Sequence, residues 1–263
     1  MTTVREVLAF LETLAPQYMK MEWDNVGLLC GSAARPVKKI LVALDPFYHI
    51  CEEAAETGAD LLVTHHPLIF HPQRSVTEED AVGRCILFLA AHGIAAVNAH
   101  TNLDQAPGGV NDCLAAVLSL QRVETLAPQG TDAAGRPWGL LRAGETAETT
   151  LSAFAAFVKE QLRCPGVRFV SGGKPVRRVA VGGGACGDEI ACALEGGCDT
   201  LVTADVKYNQ FQDARDCGIN LIDAGHFETE NPVVPYLAAA LQREFPEISV
   251  AISESQHNPV QFL

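Results

Sequence analysis

The sequence predicts an α/β protein made of two related α/β units, with mixed or parallel sheets flanked by helices. Two observations carry that prediction. Short apolar runs alternate with helical periodicities, and a long segment of the first half recurs in the second. Val4, Val7, Leu8, Leu11 and Leu14 recur at three- and four-residue steps, one face of a helix that Pro16 closes. Trp23-Asp24-Asn25-Val26-Gly27-Leu28 then switches from polar to apolar. Residues 39–44 read as a buried strand, and 50–56 as a helix ended by Gly58. Residues 59–64 form a second short strand that runs into His65-His66-Pro67. A helix over 82–91 and a strand over 94–98 follow. Strands alternating with helices are the pattern of parallel βαβ units.

The repeat is specific. Residues 36–66 align with 175–205 without a gap at an offset of 139, and ten of the 31 pairs are identical. Gly58/Gly197, Asp60/Asp199 and Thr64/Thr203 are among them. A shorter echo, His92-Gly93-Ile94 against Cys217-Gly218-Ile219, leads in each copy through a strand to a histidine. The first copy then reads His100-x-x-x-Asp104 and the second His226-x-x-x-Glu230. Only two copies exist, so an internal duplication is expected rather than a solenoid. We place the first unit at 1–125 and the second at 126–263, with the site shared between them. The connector, about 120–174, holds a polar Gly- and Pro-bearing stretch at 128–137 and an amphipathic helix over 149–161.

Composition narrows the function. Apolar residues make up 48% and charged residues 19%, which is globular. Nineteen Lys and Arg against 32 Asp and Glu give a net charge of −13. Binding nucleic acid or anionic membrane through counterion release needs a basic surface, so neither is an expected partner. The longest strongly apolar run, 85–91, falls far short of a bilayer span. The first residues lack the basic and apolar regions of a signal peptide, so a cytoplasmic location is expected. The nine cysteines then read as reduced thiols, with no C-x-x-C pair among them. Cys186, Cys192 and Cys198, spaced by six, read as small buried apolar side chains.

Chemistry concentrates at His65, His66, His100, Asp104, His226 and Glu230. His65-His66 ends a strand, where open α/β sheets place their ligands. Neighbours in extended chain face opposite ways, so the two imidazoles can serve two different ions. Each H-x-x-x-D/E spacing puts an imidazole and a carboxylate on one face of a helical turn. Those donors suit zinc, and also manganese and iron. Two close ions need a carboxylate or water between them to offset their repulsion. His49, His71, His92 and His257 stand outside this constellation and read as ordinary histidines.

Gly182-Gly183-Gly184-Ala185-Cys186-Gly187 satisfies G-x-G-x-x-G after a strand, with Asp205 18 residues on. That is the context of a dinucleotide fingerprint. Its first-copy counterpart, Ala43-Leu44-Asp45-Pro46-Phe47-Tyr48, cannot cradle a pyrophosphate. The glycines therefore read first as a tight strand-to-helix turn, with a local phosphate or anion site at the helix N-terminus as the alternative, and no dinucleotide cofactor is expected. Neither a G-x-S-x-G elbow nor a P-loop occurs.

Several segments resemble one family. They are Trp23-Asp24-Asn25-Val26-Gly27-Leu28, Thr64-His65-His66-Pro67, the run from Asn98 to Asp104, Gly108-Gly109-Val110-Asn111-Asp112, Thr203-Ala204-Asp205-Val206-Lys207-Tyr208 and the run from Asp223 to Glu230. They are similar to the dinuclear-metal family of GTP cyclohydrolase I type 2 homologues, or Ngg-interacting factor three-like family, and span residues 23 to 230 in order. The resemblance implies a two-domain subunit, a ring-shaped homohexamer, and two divalent ions per subunit (zinc, iron or manganese). By motif matching the metal ligands fall on His65, His66, Asp104, His226 and Glu230. His100 matches a site-lining position, and its expected role is to orient a ligand or shuttle a proton. Ala204 stands where the family commonly has glycine, and Asn209 where it often has histidine.

The function that follows is a dinuclear metal-dependent hydrolase acting on a small anionic substrate such as a nucleotide. Opening of the GTP imidazole ring with release of formate is the reaction named by the resemblance. Glu228 is a weaker acid/base candidate. The alternatives are a non-catalytic metal-binding or regulatory interaction protein and a metal-dependent phosphodiesterase or phosphatase.

Overall fold

In the computed structural model, which describes residues 1–263, the two copies of the repeat follow the same strand–helix–strand order, and the strands over 61–64 and 200–203 coincide residue for residue at the offset of 139. The chain begins with α1 (Val4–Leu14), β1 (Gly27–Cys30), β2 (Lys39–Ala43), α2 (Tyr48–Glu56) and β3 (Leu61–Thr64). It continues through α3 (Ala81–His92), β4 (Ala95–Asn98), α4 (Thr101–Gln105) and α5 (Val110–Val117). Next come β5 (Gln121–Thr125), a hairpin of β6 (Gly130–Thr131) and β7 (Pro137–Trp138), and β8 (Arg142–Thr149). After α6 (Leu151–Gln161) and β9 (Arg168–Val170), the second copy supplies β10 (Val176–Val181), α7 (Ile190–Glu195) and β11 (Thr200–Thr203). It ends with α8 (Tyr208–Cys217), β12 (Asn220–Asp223) and α9 (His226–Glu230). Last are α10 (Val233–Glu244) and β13 (Ser249–Ile252).

The chain divides into two compact units, 1–103 with 234–257 and 104–233 with 258–263. The first holds a five-stranded sheet in the order β1-β4-β3-β2-β13. Its β4, β3, β2 and β13 are parallel, and β1 is antiparallel at the edge. The second holds a six-stranded sheet, β5-β8-β10-β11-β12-β9. There β10, β11 and β12 are parallel, while β8 and β9 flank them antiparallel. Each unit is thus an α/β layer with mixed strands, as the duplication predicts.

The parallel strands carry unbroken apolar runs because both their faces are covered. In the second unit, Val179, Val181, Val202 and Ile222 pack with Leu114, Phe154 and Val158. Ala180, Leu201 and Leu221 pack with Ile190, Ala193 and Ala214. In the first, Leu41, Ala43, Leu62 and Ala96 pack with Ile50, Ala54 and Leu89. Cys186 and Cys198 are buried, Cys192 is half-buried, and all nine cysteines are free thiols. No helix is long and apolar enough to cross a membrane.

The duplication reaches individual hydrogen bonds. After α2 and after α7, Gly58 and Gly197 both adopt φ of +71°, a left-handed turn that costs a Cβ-bearing residue strain. Asp60 then accepts the backbone amides of Lys38 (2.8 Å) and Lys39 (3.2 Å). Asp199, at the matching position, accepts those of Arg177 and Arg178, both at 2.9 Å. Each aspartate ties the start of one parallel strand to the start of its neighbour. The strands consequently end in step. Ala43, Thr64 and Asn98 are register partners in the first unit, and Thr203 pairs with Asp223 in the second. The segments leaving those ends carry the chemistry, as expected for open α/β sheets.

Asp60→Ala is expected to destabilise the protein by about 1–3 kcal/mol, because two backbone N–H groups lose a charged acceptor. A thermal melt checks this, with Asp199→Ala as the matching variant of the other copy. Unchanged melting temperatures in both would show that these aspartates do not set the strand starts.

Candidate metal centre

In the first unit, three imidazoles gather at the ends of β3 and β4. One ring nitrogen each of His65, His66 and His100 lies within 4.8 Å of the others. His65 Nδ1 sits 2.9 Å from the carbonyl oxygen of Ala99. A carbonyl can only accept, so Nδ1 carries the proton and the ligating lone pair falls on Nε2. His66 Nδ1 is 2.7 Å from Asp45 Oδ1, and His100 Nδ1 is 2.7 Å from Asp24 Oδ1. Carboxylates on Nδ1 orient the rings and raise the basicity of Nε2. Burial opposes ionisation of Asp24, but hydrogen bonds from His100 and Thr101 outweigh it and hold the carboxyl at about 2.

The backbone at His65 and His66 departs from extended chain. Extended chain would send His65 and His66 to opposite sides, yet their ring centroids are 4.9 Å apart. The strand stops at Thr64, whose hydroxyl donates to the His66 carbonyl at 2.7 Å, and the chain bends there. Strand alternation therefore no longer applies to the two histidines.

In the second unit, α9 presents His226 and Glu230 one turn apart, with His226 Nε2 3.1 Å from Glu230 Oε2. His226 Nδ1 is 2.8 Å from Asp205 Oδ2. The carboxylates of Asp104 and Glu230 come within 4.8 Å of each other. Both are deeply buried, at 7% and 3% exposure. Asn111 holds the Asp104 segment: its Nδ2 donates to the Asp104 carbonyl (3.1 Å) and to that of Leu140 (2.7 Å). Its Oδ1 accepts the Gly183 amide at 2.6 Å.

The glycine-rich turn serves this same cluster. A Cβ on Gly184 would stand 2.2 Å from Glu230 Oε1, and the residue has φ of +66°. Its amide donates to Thr229 Oγ1 at 3.0 Å, and the Cys186 amide to Thr203 Oγ1 at 3.0 Å. With the Gly183 amide bonded to Asn111, these N–H groups are engaged by side chains rather than offered to a phosphate. The tight-turn reading fits this arrangement. Burial, reinforced by Asp104 and Glu230, pushes the Cys186 thiol well up, so it stays protonated.

Other sequence candidates lie apart from these clusters. Glu228 turns its carboxylate onto Gly225 and accepts from Asn258 Nδ2 at 2.7 Å. His49, His71, His92 and His257 are exposed. Ala204 is buried, with its amide on the Gly184 carbonyl at 2.8 Å, and Asn209 is exposed at the start of α8. Sequence reasoning assigned no role to Asp24, Asp45, Asp205 or Asn111. One signal was available for Asp205, which occupies the repeat position of His66, 139 residues on.

The donor set suits a divalent ion, since imidazoles with anchored Nδ1 and buried carboxylates are the usual ligands of such ions. The family model for Duf34/NIF3 (NGG1p interacting factor 3) matches residues 2–259.

The chain belongs to the Duf34/NIF3 family.

It is 35% identical over 268 residues to a Streptomyces coelicolor protein named GTP cyclohydrolase 1 type 2 homolog, covering 98% of this chain and 94% of that one. A Clostridium perfringens protein of the same name is 29% identical, with 99% of each chain covered. Among solved structures, the Staphylococcus aureus protein SA1388 matches with a TM-score of 0.93 at 30% identity over 99% of both chains. In this Duf34/NIF3 chain the donor clusters form groups able to hold a metal ion.

Two outcomes are expected. Gly184→Ala drives a methyl into the Glu230 carboxylate and is expected to weaken metal binding tenfold or more, read by chelator competition. Asp24 ionises at about 2 when folded and near 3.8 when unfolded, so its contribution is present above pH ~4 and is lost as the pH falls through 2. That contribution is on the order of 2 kcal/mol. Asp24→Asn should lower stability at pH 7 and flatten its loss between pH 4 and 2 in acid titrations. A variant curve parallel to wild type over that range contradicts the role given to Asp24.

Proposed function

We propose that the protein is a dinuclear metal-dependent hydrolase of a small anionic substrate. The observation that carries this reading is the anchoring of four imidazoles by Nδ1 contacts to Ala99, Asp45, Asp24 and Asp205. Such anchoring gives each ring a defined Nε2 donor. His65, His66, Asp104, His226 and Glu230 are the residues we assign to hold two divalent ions, zinc, iron or manganese.

When bound, such an ion pair supplies Lewis acidity and ionises water near neutral pH. The chain's own groups do the rest. Asp45 and Asp205 keep the His66 and His226 rings in one tautomer. Asp104 and Glu230 contribute two negative charges against the four positive charges of two divalent ions, leaving a net attraction for an anion. His100, hydrogen-bonded to ionised Asp24, is the group we assign to accept or return a proton at Nε2. The name of the curated relatives supports a finer reading, hydrolysis of the GTP imidazole ring. In that reaction two waters add at C8, both C8–N bonds break, and C8 leaves as formate. The assembly implied by family resemblance is a homohexamer.

Protein purified without chelator or His-tag is expected to carry about two equivalents of divalent metal per chain, and Asp104→Ala to carry fewer while remaining folded. The metal-replete protein is then expected to release formate from GTP, or phosphate from a phosphoester. Absence of metal after reconstitution with zinc, iron and manganese removes the hydrolase reading. Full metal without product from either substrate class favours a metal-binding or regulatory protein.

A further inference from the structure

A cleft of about 470 Å³ opens in the first unit beside His66. Its walls are the segment after β2 with Phe47 and Tyr48, the segment after β3 with Phe70, and the start of α3 with Arg84. That volume falls in the range of small-molecule sites. Phe47 is 54% exposed and Phe70 43% exposed. Two phenyl rings left in water beside a candidate metal ligand are costly unless something covers them. Phe70 is held edge-on by Trp23 at 5.6 Å and by His71 at 4.6 Å. Its ring therefore has neighbours that fix it in place.

One cation lines the same cleft. The Arg84 guanidinium lies over the Tyr48 ring at 4.2 Å. Arg84 takes part in no ion pair with a carboxylate of the chain. A guanidinium stacked on an aromatic face still directs its N–H groups outward in its own plane, where they match a phosphate or carboxylate. His66, oriented by Asp45, lines the same cleft. Aromatic walls, an available cation and a candidate ligand thus share one cavity.

We propose that this cleft recognises a planar aromatic ligand bearing an anionic group, with Phe47 and Phe70 against the ring and Arg84 on the anion. The inference rests on the hydrolase reading for what happens at His66. The recognition itself depends only on the cleft. A purine nucleotide and an aryl phosphate share the required chemistry.

The test uses full-length, metal-loaded and metal-stripped Trp138→Phe protein, in which Trp23 is the only remaining tryptophan. Phenyl phosphate, GMP and methyl phosphate are titrated while Trp23 fluorescence and binding heat are followed. Phenyl phosphate or GMP is expected to bind at least tenfold more tightly than methyl phosphate, and whichever binds better identifies the source. Phe70→Ala and Arg84→Gln are each expected to weaken that binding tenfold or more. Phe70→Tyr should retain it, and metal content should be unchanged in all three. Equal binding of methyl and phenyl phosphate, binding unaffected by both Phe70→Ala and Arg84→Gln, or no binding of either aromatic probe would overturn the proposal. Elemental analysis of the same samples reports separately on the metal reading: selective aromatic binding to a protein that takes up no metal would keep the cleft and discard the hydrolase.

Discussion

A neutral imidazole presents a lone pair on one nitrogen only while the other holds its proton. Where the ring points therefore depends on what accepts that proton. Each of the four histidines in the two clusters has such an acceptor on Nδ1. Asp45 follows β2, Ala99 follows β4 and Asp205 follows β11. Three of the four acceptors are thus set by strand register. A slip of one residue would reverse the faces of a whole strand and separate each ring from its acceptor. The aspartates at the strand starts, Asp60 and Asp199, bear on the same register from the opposite edge of the sheets.

The duplication shows how one scaffold was put to two uses. His66 and Asp205 occupy the same repeat position just past equivalent strands, yet the first is a donor ring and the second an orienting carboxylate. Asp45 and Gly184 are likewise equivalent. In the first copy that position supplies the carboxylate on His66; in the second it is emptied of a side chain so that Glu230 fits. Asp205 takes a φ of +52°, a conformation that aspartate tolerates better than most residues. The repeat therefore preserved the backbone frame and exchanged the chemistry placed on it.

Much of this was legible in the sequence. The repeat at an offset of 139 predicted β3 and β11, and the apolar periodicities predicted α1 and the helix after residue 149. The H-x-x-x-E spacing marked His226 and Glu230, which share a face of α9, whereas His100 and Asp104 of the H-x-x-x-D spacing fall in different donor groups. The orienting acceptors were not legible. Asp45 stands 21 residues before His66, and Asp205 stands 21 before His226. That interval spans a helix and a strand and has no local periodicity. Asn111 is harder still, since it bonds backbone groups, which no sequence pattern records. The bend after Thr64 also escaped, because alternation is a property of extended chain and gives no notice of where extension stops. Nor does a sequence signal that α10 and β13 complete the first unit.

The two clusters differ most in charge. The first gathers three imidazoles, which cost little to bury in the neutral form. The second brings Asp104 and Glu230 within 4.8 Å of each other at 7% and 3% exposure. Two ionised carboxylates so close and so dry repel, and burial penalises each one separately. A divalent cation resolves both terms together, by neutralising the pair and replacing lost hydration with coordination. The neighbouring thiol fits the same account: Cys186, buried beside these carboxylates, stays protonated and adds no further negative charge. Gly184 and Gly183 extend it, because a side chain at either position would press on Glu230. The cost of this cluster to the folded chain is thus itself an argument that its carboxylates belong to a cation.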